Sequence, residues 1–158
     1  MTSLDAWWAG GARIPEGVFA RADGPPDAPA WTWLHGFPTC SWDWASLLEV
    51  LPGTRRDVTL DFLGFGASAK PLGHRYLLTE QADLVEAVWR HHGVERTTLV
   101  AHDYGVSVAQ ELLARRAEGR LAVTFDGPVT FLNGGLFPHL HRPVRIQKLL
   151  AGPAGPLL

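Results

Sequence analysis

One short stretch of the chain, in which an apolar strand leads through a sharp turn into a helix, restricts the possible folds more than any other feature. The apolar run Thr97–Ala101 predicts a short buried strand, and the alanine-rich run from about Val106 to Ala117 predicts a helix. The turn between them, His102–Gly105, has Asp103 at its centre. Small residues around one reactive residue, between a strand and a helix, are typical of a turn that presents a nucleophile, usually a serine. Asp103 is therefore the candidate nucleophile.

An aspartate in this place favours one kind of chemistry. Its carboxylate is ionised at neutral pH and needs no base to activate it, and the first turn of a helix stabilises negative charge. A carboxylate is a weak nucleophile toward acyl carbon, but a useful one toward saturated carbon that bears a good leaving group or belongs to a strained ring. Attack would leave a covalent ester on Asp103, which water must then cleave. The alternative is that Asp103 serves only as a turn or helix-cap residue.

A second motif, His-Gly-Phe-Pro, follows the apolar run Ala30–Leu34. A His-Gly turn directly after a core strand is a typical position for a second oxyanion donor. The two donors would then be the backbone N–H groups of Phe37 and Tyr104, which stabilise the oxyanion formed when water attacks the ester. Gly36 allows a tight backbone there, and we expect His35 to hold the loop through a hydrogen bond.

A third motif, the glycine-rich segment Asp61–Ala69, follows the expected strand Val58–Leu60 and superficially resembles a nucleotide-binding loop. The next residues, Lys70–Gly73, read Lys-Pro-Leu-Gly and prevent a helix from opening there, as a dinucleotide-binding fingerprint requires. The segment is therefore not a nucleotide site, and we expect no cofactor.

The alternation of strands and helices implies an α/β fold with a parallel, doubly wound sheet. The first helix is expected over Trp42–Leu51, with Ser41 as its N-cap. Sheets of this kind bind ligands outside the carboxyl ends of their strands. His35, Asp61 and Asp103 all fall at such ends.

Taken in order, these segments resemble the α/β-hydrolase superfamily, in the branch with aspartate nucleophiles that contains epoxide hydrolases and haloalkane dehalogenases. Within that branch, they resemble the mesoderm-specific transcript protein-like hydrolases. The match extends from about Gly17 to Leu150. The motifs that carry it are His35–Thr39, Asp61–Gly66, His102–Gly105, Val108–Leu113, Asn133–Pro138 and His141–Pro143.

The resemblance implies a doubly wound, mostly parallel sheet of the α/β-hydrolase type, truncated within the start of the cap. Residues 1–135 would form the amino-terminal part of the core domain, and residues 136–158 the beginning of the cap. His35, Gly36, His102 and Gly105 would support the site. In this family the nucleophile precedes the cap, and the catalytic acid and histidine follow it. We therefore expect the acid and the histidine beyond Leu158.

The resemblance also bears on the substrate, which we expect to be a small organic molecule. Haloalkane dehalogenases typically hold the halide with a Trp after the nucleophile and an Asn or Trp after His-Gly. Here those positions are Tyr104 and Phe37, so a halide site of that type is absent. The His-Gly-Phe-Pro run is more similar to the epoxide-hydrolase pattern, although the two tyrosines of the chain, Tyr76 and Tyr104, lie outside the expected cap.

None of the seven histidines is a convincing base for the second step. The alternation of side chains along a strand should point His102 away from the neighbouring carboxylate. His91 and His92 precede a glycine at the end of an expected helix. Asp126 belongs to an Asp-Gly-Pro turn, and Asn133, at a position where some dehalogenases place the acid, is not a carboxylate.

Two other hypotheses stay open. The chain could be a non-catalytic binding or interaction protein, or an inactive fragment that lacks the acid and the histidine. It could also be a serine-type esterase acting through Ser107, but Ser107 would lie one turn inside the helix and not at the end of the strand.

The composition is that of a soluble globular protein, 46% hydrophobic with a formal net charge of −2. No cluster of Lys and Arg suggests a nucleic-acid surface. The single cysteine, Cys40, cannot form an internal disulfide and fits a reducing, cytoplasmic compartment. The N-terminus does not resemble a signal peptide, and no stretch approaches the roughly 18 apolar residues of a membrane span. We expect no metal, and the oligomeric state is not predicted.

Overall fold

A mixed sheet with helices on both faces makes up the part of the chain that the computed structural model describes, residues 2–51 and 53–135. The strands are β1 (Ala12–Arg13), β2 (Phe19–Asp23), β3 (Ala30–Leu34), β4 (Arg56–Leu60), β5 (Arg96–His102), β6 (Thr124–Phe125) and β7 (Thr130–Leu132). The helices are α1 (Leu4–Ala9), a 3-10 turn (Ser41–Trp44), α2 (Ala45–Val50), α3 (Leu78–His91) and α4 (Tyr104–Ala117). The expected cap segment, residues 136–158, lies outside the described residues.

The strands lie in the order β1-β2-β4-β3-β5-β6, and β7 also pairs with β5. β3 is parallel to β4 and β5, and both β6 and β7 are parallel to β5. At the opposite edge of the sheet, β1 is antiparallel to β2, and β2 is antiparallel to β4. The predicted mostly parallel sheet is therefore confirmed, and it brings the carboxyl ends of β3, β4 and β5 to one edge.

Side chains alternate along the strands and pack into hydrophobic clusters on both faces of the sheet. Leu99 points to the larger core, with α3 and α4, whereas the next residue, Val100, packs with Trp33 and Trp44 on the opposite face. On the α3 side, the fully buried indole of Trp89 donates a 2.7 Å hydrogen bond to the Thr32 hydroxyl. Both faces of the sheet are thus covered, as in a doubly wound fold.

The helix expected over Trp42–Leu51 differs from its prediction, and it is not the first helix, because α1 precedes it. The chain forms a 3-10 turn over Ser41–Trp44 and a short α-helix over Ala45–Val50. The prediction that Ser41 caps this helix is wrong, because its hydroxyl donates to Asp61 and accepts from the indole of Trp7. A contact with distant residues has replaced the local cap.

Among residues 2–51 and 53–135, no helix combines the length and the apolar character that a membrane crossing needs.

Candidate active site

The turn between β5 and α4 holds Asp103 in an unusual backbone conformation. Its φ is 48° and its ψ is −111°, and a non-glycine residue at such a φ costs about 1–3 kcal/mol unless its surroundings fix it. Here they do: the Asp103 N–H donates to the Leu132 carbonyl at 2.9 Å, and the Asp103 carbonyl accepts from Val106 N–H at 3.0 Å. The carboxylate therefore stands at the end of the strand, at the start of the helix.

Two backbone donors converge on one oxygen of this carboxylate. Asp103 Oδ1 accepts hydrogen bonds from the Phe37 N–H at 2.8 Å and from the Tyr104 N–H at 2.7 Å. No side chain or backbone group of the described residues donates to Oδ2. One oxygen is thus anchored, while the other receives no hydrogen bond from residues 2–51 and 53–135.

Glycine is required where the His-Gly loop and this turn come together. A Cβ on Gly36 would lie 2.8 Å from the Asp103 Cβ and 2.9 Å from His102 Nδ1. A Cβ on Gly105 would lie 2.8 Å from the His35 carbonyl oxygen, to which the Gly105 N–H donates. Any larger residue at either position would separate the two loops and lengthen the bond from the Phe37 N–H.

The His35 ring holds the base of the His-Gly loop. It is fully buried, and its Nδ1 lies 2.8 Å from the Gly36 carbonyl while Nε2 accepts the Phe62 N–H at 3.0 Å. Burial lowers the pKa of His35 more than its hydrogen bond to Gly36 raises it. The ring is therefore neutral, with the proton on Nδ1, and its role is to orient the backbone.

A cavity of about 560 Å³ lies next to this turn, although Asp103 itself is not among the residues that line it. Both residues whose N–H groups bind Asp103 line it, and four of its side chains are aromatic. The lining residues are Phe37, Pro38, Thr39, Gly64, Phe65, Gly66, Lys70, Tyr76 and Tyr104. The walls are suited to an apolar or aromatic molecule.

The two tyrosines of the cavity differ in their surroundings. Tyr104 is half-buried, and this burial raises its pKa more than the nearby Gln81 side chain lowers it. The Tyr76 hydroxyl donates to the Pro71 carbonyl at 2.9 Å. The Tyr76 hydroxyl is therefore already engaged within the protein.

The described histidines do not approach the Asp103 carboxylate with a hydrogen bond. His102 packs edge-on against Trp44, with ring centroids 6.4 Å apart. His91 and His92 end α3, and His74 pairs with Glu80 at 2.8 Å. His139 and His141 fall outside the described residues.

The remaining candidates are also separated from Asp103 or chemically unsuited. Asp126 pairs with Arg96, which begins β5, whereas Asp103 follows the last residue of that strand. Asn133 follows β7 with a φ of 51°, and it lies next to Leu132, whose carbonyl accepts the Asp103 N–H. Ser107 lies within α4.

Sequence reasoning gave no role to two buried polar side chains next to the cavity, Asp61 and Gln81. Asp61 accepts four hydrogen bonds, and Gln81 binds both the N–H and the carbonyl of Leu63. The position of Asp61 at the carboxyl end of a strand was a usable signal. Gln81 lies inside a helix, and nothing in the sequence around it indicated a role.

The described residues hold no group of three or more His, Cys, Asp or Glu side chains able to bind a metal ion.

A mostly parallel sheet whose central strand ends in a strained turn, followed at once by a helix, defines the class of the α/β hydrolases. The family model of the alpha/beta hydrolase fold matches residues 33–147. The chain belongs to this family, and the resemblance that its motifs indicate is confirmed.

Individual proteins are similar over parts of their length. The mesoderm-specific transcript homolog protein of Bos taurus is 48% identical over 130 residues, which cover 79% of this chain and 39% of that protein. LipZ of Mycobacterium tuberculosis is 43% identical over 98% of this chain and 54% of its own length. The haloalkane dehalogenase DbeA from Bradyrhizobium elkani has a similar structure, with a TM-score of 0.59 and 30% identity over 70% of this chain and 39% of that one. The chain thus spans about half, or less, of these proteins.

Proposed function

We propose that this α/β hydrolase acts through Asp103 as a nucleophile, by way of a covalent alkyl ester, on small organic epoxides. The observation that carries the proposal is the pair of hydrogen bonds from the Phe37 and Tyr104 N–H groups to a single oxygen of Asp103. A helix cap alone needs one such donor from its own helix. The second donor comes from a separate loop, 66 residues away in sequence.

In the first step, Asp103 Oδ2 attacks a ring carbon of the epoxide. A carbon–oxygen bond to the carboxylate forms, the ring carbon–oxygen bond breaks, and the released alkoxide takes a proton from solvent. Because Oδ1 is held by the two N–H groups, Oδ2 is the oxygen left to react. The product of this step is an ester on Asp103 that contains the whole epoxide molecule.

In the second step, water attacks the carboxyl carbon of the ester. Negative charge develops on Oδ1, where the N–H groups of Phe37 and Tyr104 stabilise it. Collapse of this intermediate releases a diol and restores the Asp103 carboxylate. A base must take the proton of the attacking water, and no histidine of the described residues is placed to do so. We therefore assign the first step, but not the second, to the described part of the chain.

Opening an epoxide requires fewer polar groups from the site than displacing a halide does. Opening of a strained ring needs no halide site, and the Phe37 side chain supplies no polar donor for one. The competing proposal is a haloalkane substrate, which is favoured by the 30% identity to the dehalogenase DbeA.

We also propose the domain limits of the chain. Residues 1–135 would form the amino-terminal part of the core domain, and residues 136–158 the start of a cap.

Styrene oxide and intact-mass spectrometry test the proposal, in a Cys40→Ala background that removes the only thiol. We expect the protein to gain the mass of one styrene oxide. Asp103→Asn should abolish the adduct, whereas Ser107→Ala should leave it unchanged. A folded protein that stays unmodified would contradict the proposal and favour a binding function. Loss of the adduct in Ser107→Ala, with retention in Asp103→Asn, would favour the serine-type reaction.

The same assay separates the two substrate classes. 2-Phenylethyl bromide is similar in size to styrene oxide and would transfer its alkyl group to Asp103 with loss of bromide. We expect it to react more slowly than the epoxide. Faster reaction with the bromide would favour the haloalkane proposal.

A further inference from the structure

We propose that Asp61 is a positioning residue for the Asp103 site, since its buried carboxylate fixes the loop that carries the Phe37 N–H. This inference rests on the proposed function, because it assigns Asp61 a part in the reaction of Asp103. The Asp61 side chain is completely buried, so it would act only through the loops that it holds.

The Asp61 carboxylate is completely buried and accepts four hydrogen bonds. Oδ1 accepts the Ser41 N–H at 2.8 Å and the Ser41 hydroxyl at 2.5 Å. Oδ2 accepts the Ala67 N–H at 2.7 Å and the Trp8 indole N–H at 3.1 Å. Among the described residues no Lys, Arg or His forms an ion pair with it. A buried charge without a counterion depends on its hydrogen bonds, so the surrounding groups are tightly specified.

The carboxyl end of β4 thereby binds both ends of the loop between His35 and Ser41. At one end the Phe62 N–H donates to His35 Nε2. At the other end the preceding residue, Asp61, accepts both donors of Ser41. The Phe37 N–H that reaches Asp103 lies between these two anchors.

Asp61 also shapes the part of the cavity wall that the turn after β4 forms. The turn after β4 wraps around its carboxylate so closely that a Cβ on Gly66 would lie 2.0 Å from Oδ2. The Lys70 ammonium closes this turn by donating to the carbonyls of Phe65, Gly66 and Ser68. The turn in this conformation places the Phe65 ring 5.6 Å from that of Tyr104.

The N-terminal helix joins the same network. Trp8 supplies the fourth donor to Asp61, and the neighbouring Trp7 indole donates to the Ser41 hydroxyl at 3.0 Å. Helix α1 is therefore attached to the loop that bears the Phe37 N–H. A change at Trp8 should reach Asp103 through Asp61 and Ser41.

Asp61→Asn is the first test. An amide has one accepting oxygen, and its NH2 group would face two of the four donors whichever way the amide is turned. The matched control is Asp57→Asn, which changes a carboxylate that accepts from the Trp33 indole and Arg55 instead. We expect Asp61→Asn to slow ester formation by styrene oxide about tenfold or more, and the control to leave the rate within about twofold.

The NMR signal of the Phe37 amide distinguishes positioning from general destabilisation. Asp61→Asn should move this amide proton upfield and speed its exchange, because its hydrogen bond to Asp103 lengthens. Asp57→Asn should leave the chemical shift of this amide unchanged, even if it lowers the thermal midpoint of unfolding as much as Asp61→Asn does. This measurement does not require the protein to be active.

Trp8→Phe keeps the inference testable if Asp61→Asn does not fold. It removes one donor to Asp61 and retains a ring, and Trp33→Phe is its control because it removes an indole donor to Asp57. We expect Trp8→Phe to slow ester formation by about threefold and to shift the Phe37 amide. Trp33→Phe should do neither.

The outcomes separate the two proposals. Unchanged rates and an unchanged Phe37 amide in both Asp61→Asn and Trp8→Phe would overturn the positioning role. Equal effects of the control variants would also overturn it. If the wild-type protein forms no adduct, the proposed function fails, and a shifted Phe37 amide would then support only the link between Asp61 and the loop.

Discussion

At the scale of single residues, the His-Gly loop depends on one protonation state of His35. Its Nε2 accepts the Phe62 N–H, and a protonated ring would lose that acceptor. Burial lowers the pKa of His35, as it does for His92 at the end of α3. Both rings are therefore neutral where an exposed histidine would begin to take up a proton.

We predict that the free energy of unfolding falls as the pH drops below about 6.5, the ordinary pKa of histidine. The folded pKa of His35 is lowered, so the unfolded chain binds the proton first and gains stability relative to the fold. Each such histidine contributes at most about 1.4 kcal/mol per pH unit. Urea unfolding between pH 7 and pH 5 should show a shallower decline in His35→Asn than in the wild type. An identical slope in the two proteins would contradict this prediction.

The Cys40 thiol gives a second pH-dependent prediction. Burial raises its pKa, and only the thiolate reacts rapidly with alkylating agents. Iodoacetamide should therefore modify Cys40 slowly at neutral pH, with a rate that rises at a higher pH than for a small-molecule thiol. Labelling as fast as that of free cysteine at pH 7 would show that the thiol is not shielded.

At the scale of elements, the packing of α3 against α4 centres on Arg115. Its guanidinium is buried and binds Asp83 and Glu86 of α3 as well as Glu111 of its own helix. Burial acts to lower the pKa of Arg115, but these hydrogen bonds outweigh it and the pKa is raised. The network fixes α4, whose first residues hold the Asp103 turn.

Arg115→Met should lower the free energy of unfolding by about 2 kcal/mol, because it removes the one cation shared by three carboxylates. Arg120→Met is the matched control, since Arg120 pairs with Glu118 in an exposed position. The control should change stability by no more than about 0.5 kcal/mol. Chemical denaturation of both variants measures the difference, and equal losses would contradict the role given to the network.

Sequence patterns predicted those strands and helices that are specified by residues close together in the sequence. The strand ending before Asp103 and the helix after it follow from an apolar run, a turn and an alanine-rich run. The 3-10 turn over Ser41–Trp44 did not follow, because Ser41 is bound by Asp61, 20 positions away. Hydrogen bonds between distant loops leave no periodic signal in a single sequence.

At the scale of the whole molecule, the sheet order explains why the site lies where it does. β3, β4 and β5 are neighbours, and their carboxyl ends carry His35, Asp61 and Asp103. The sequence predicted that these three residues share an edge. It did not predict the cavity, whose walls come from loops packed across that edge.

The same order predicts a gradient of stability across the sheet. The inner strands β3, β4 and β5 are hydrogen-bonded to strands on both sides, whereas β1 is a two-residue edge strand. Amides of β3, β4 and β5 should therefore exchange with solvent most slowly, and those of β1 most rapidly. Native-state hydrogen exchange checks this, and equal protection of β1 and β5 would contradict it.

The central claim is that Asp103 is a nucleophile, and tandem mass spectrometry of the protein treated with styrene oxide tests it most directly. The account predicts one peptide that carries the whole mass of one styrene oxide, with the modification on Asp103 and none on His102. The adduct should be an ester and should be lost in mild alkali. A folded protein with an unmodified Asp103, or with the label on another residue, would contradict the account.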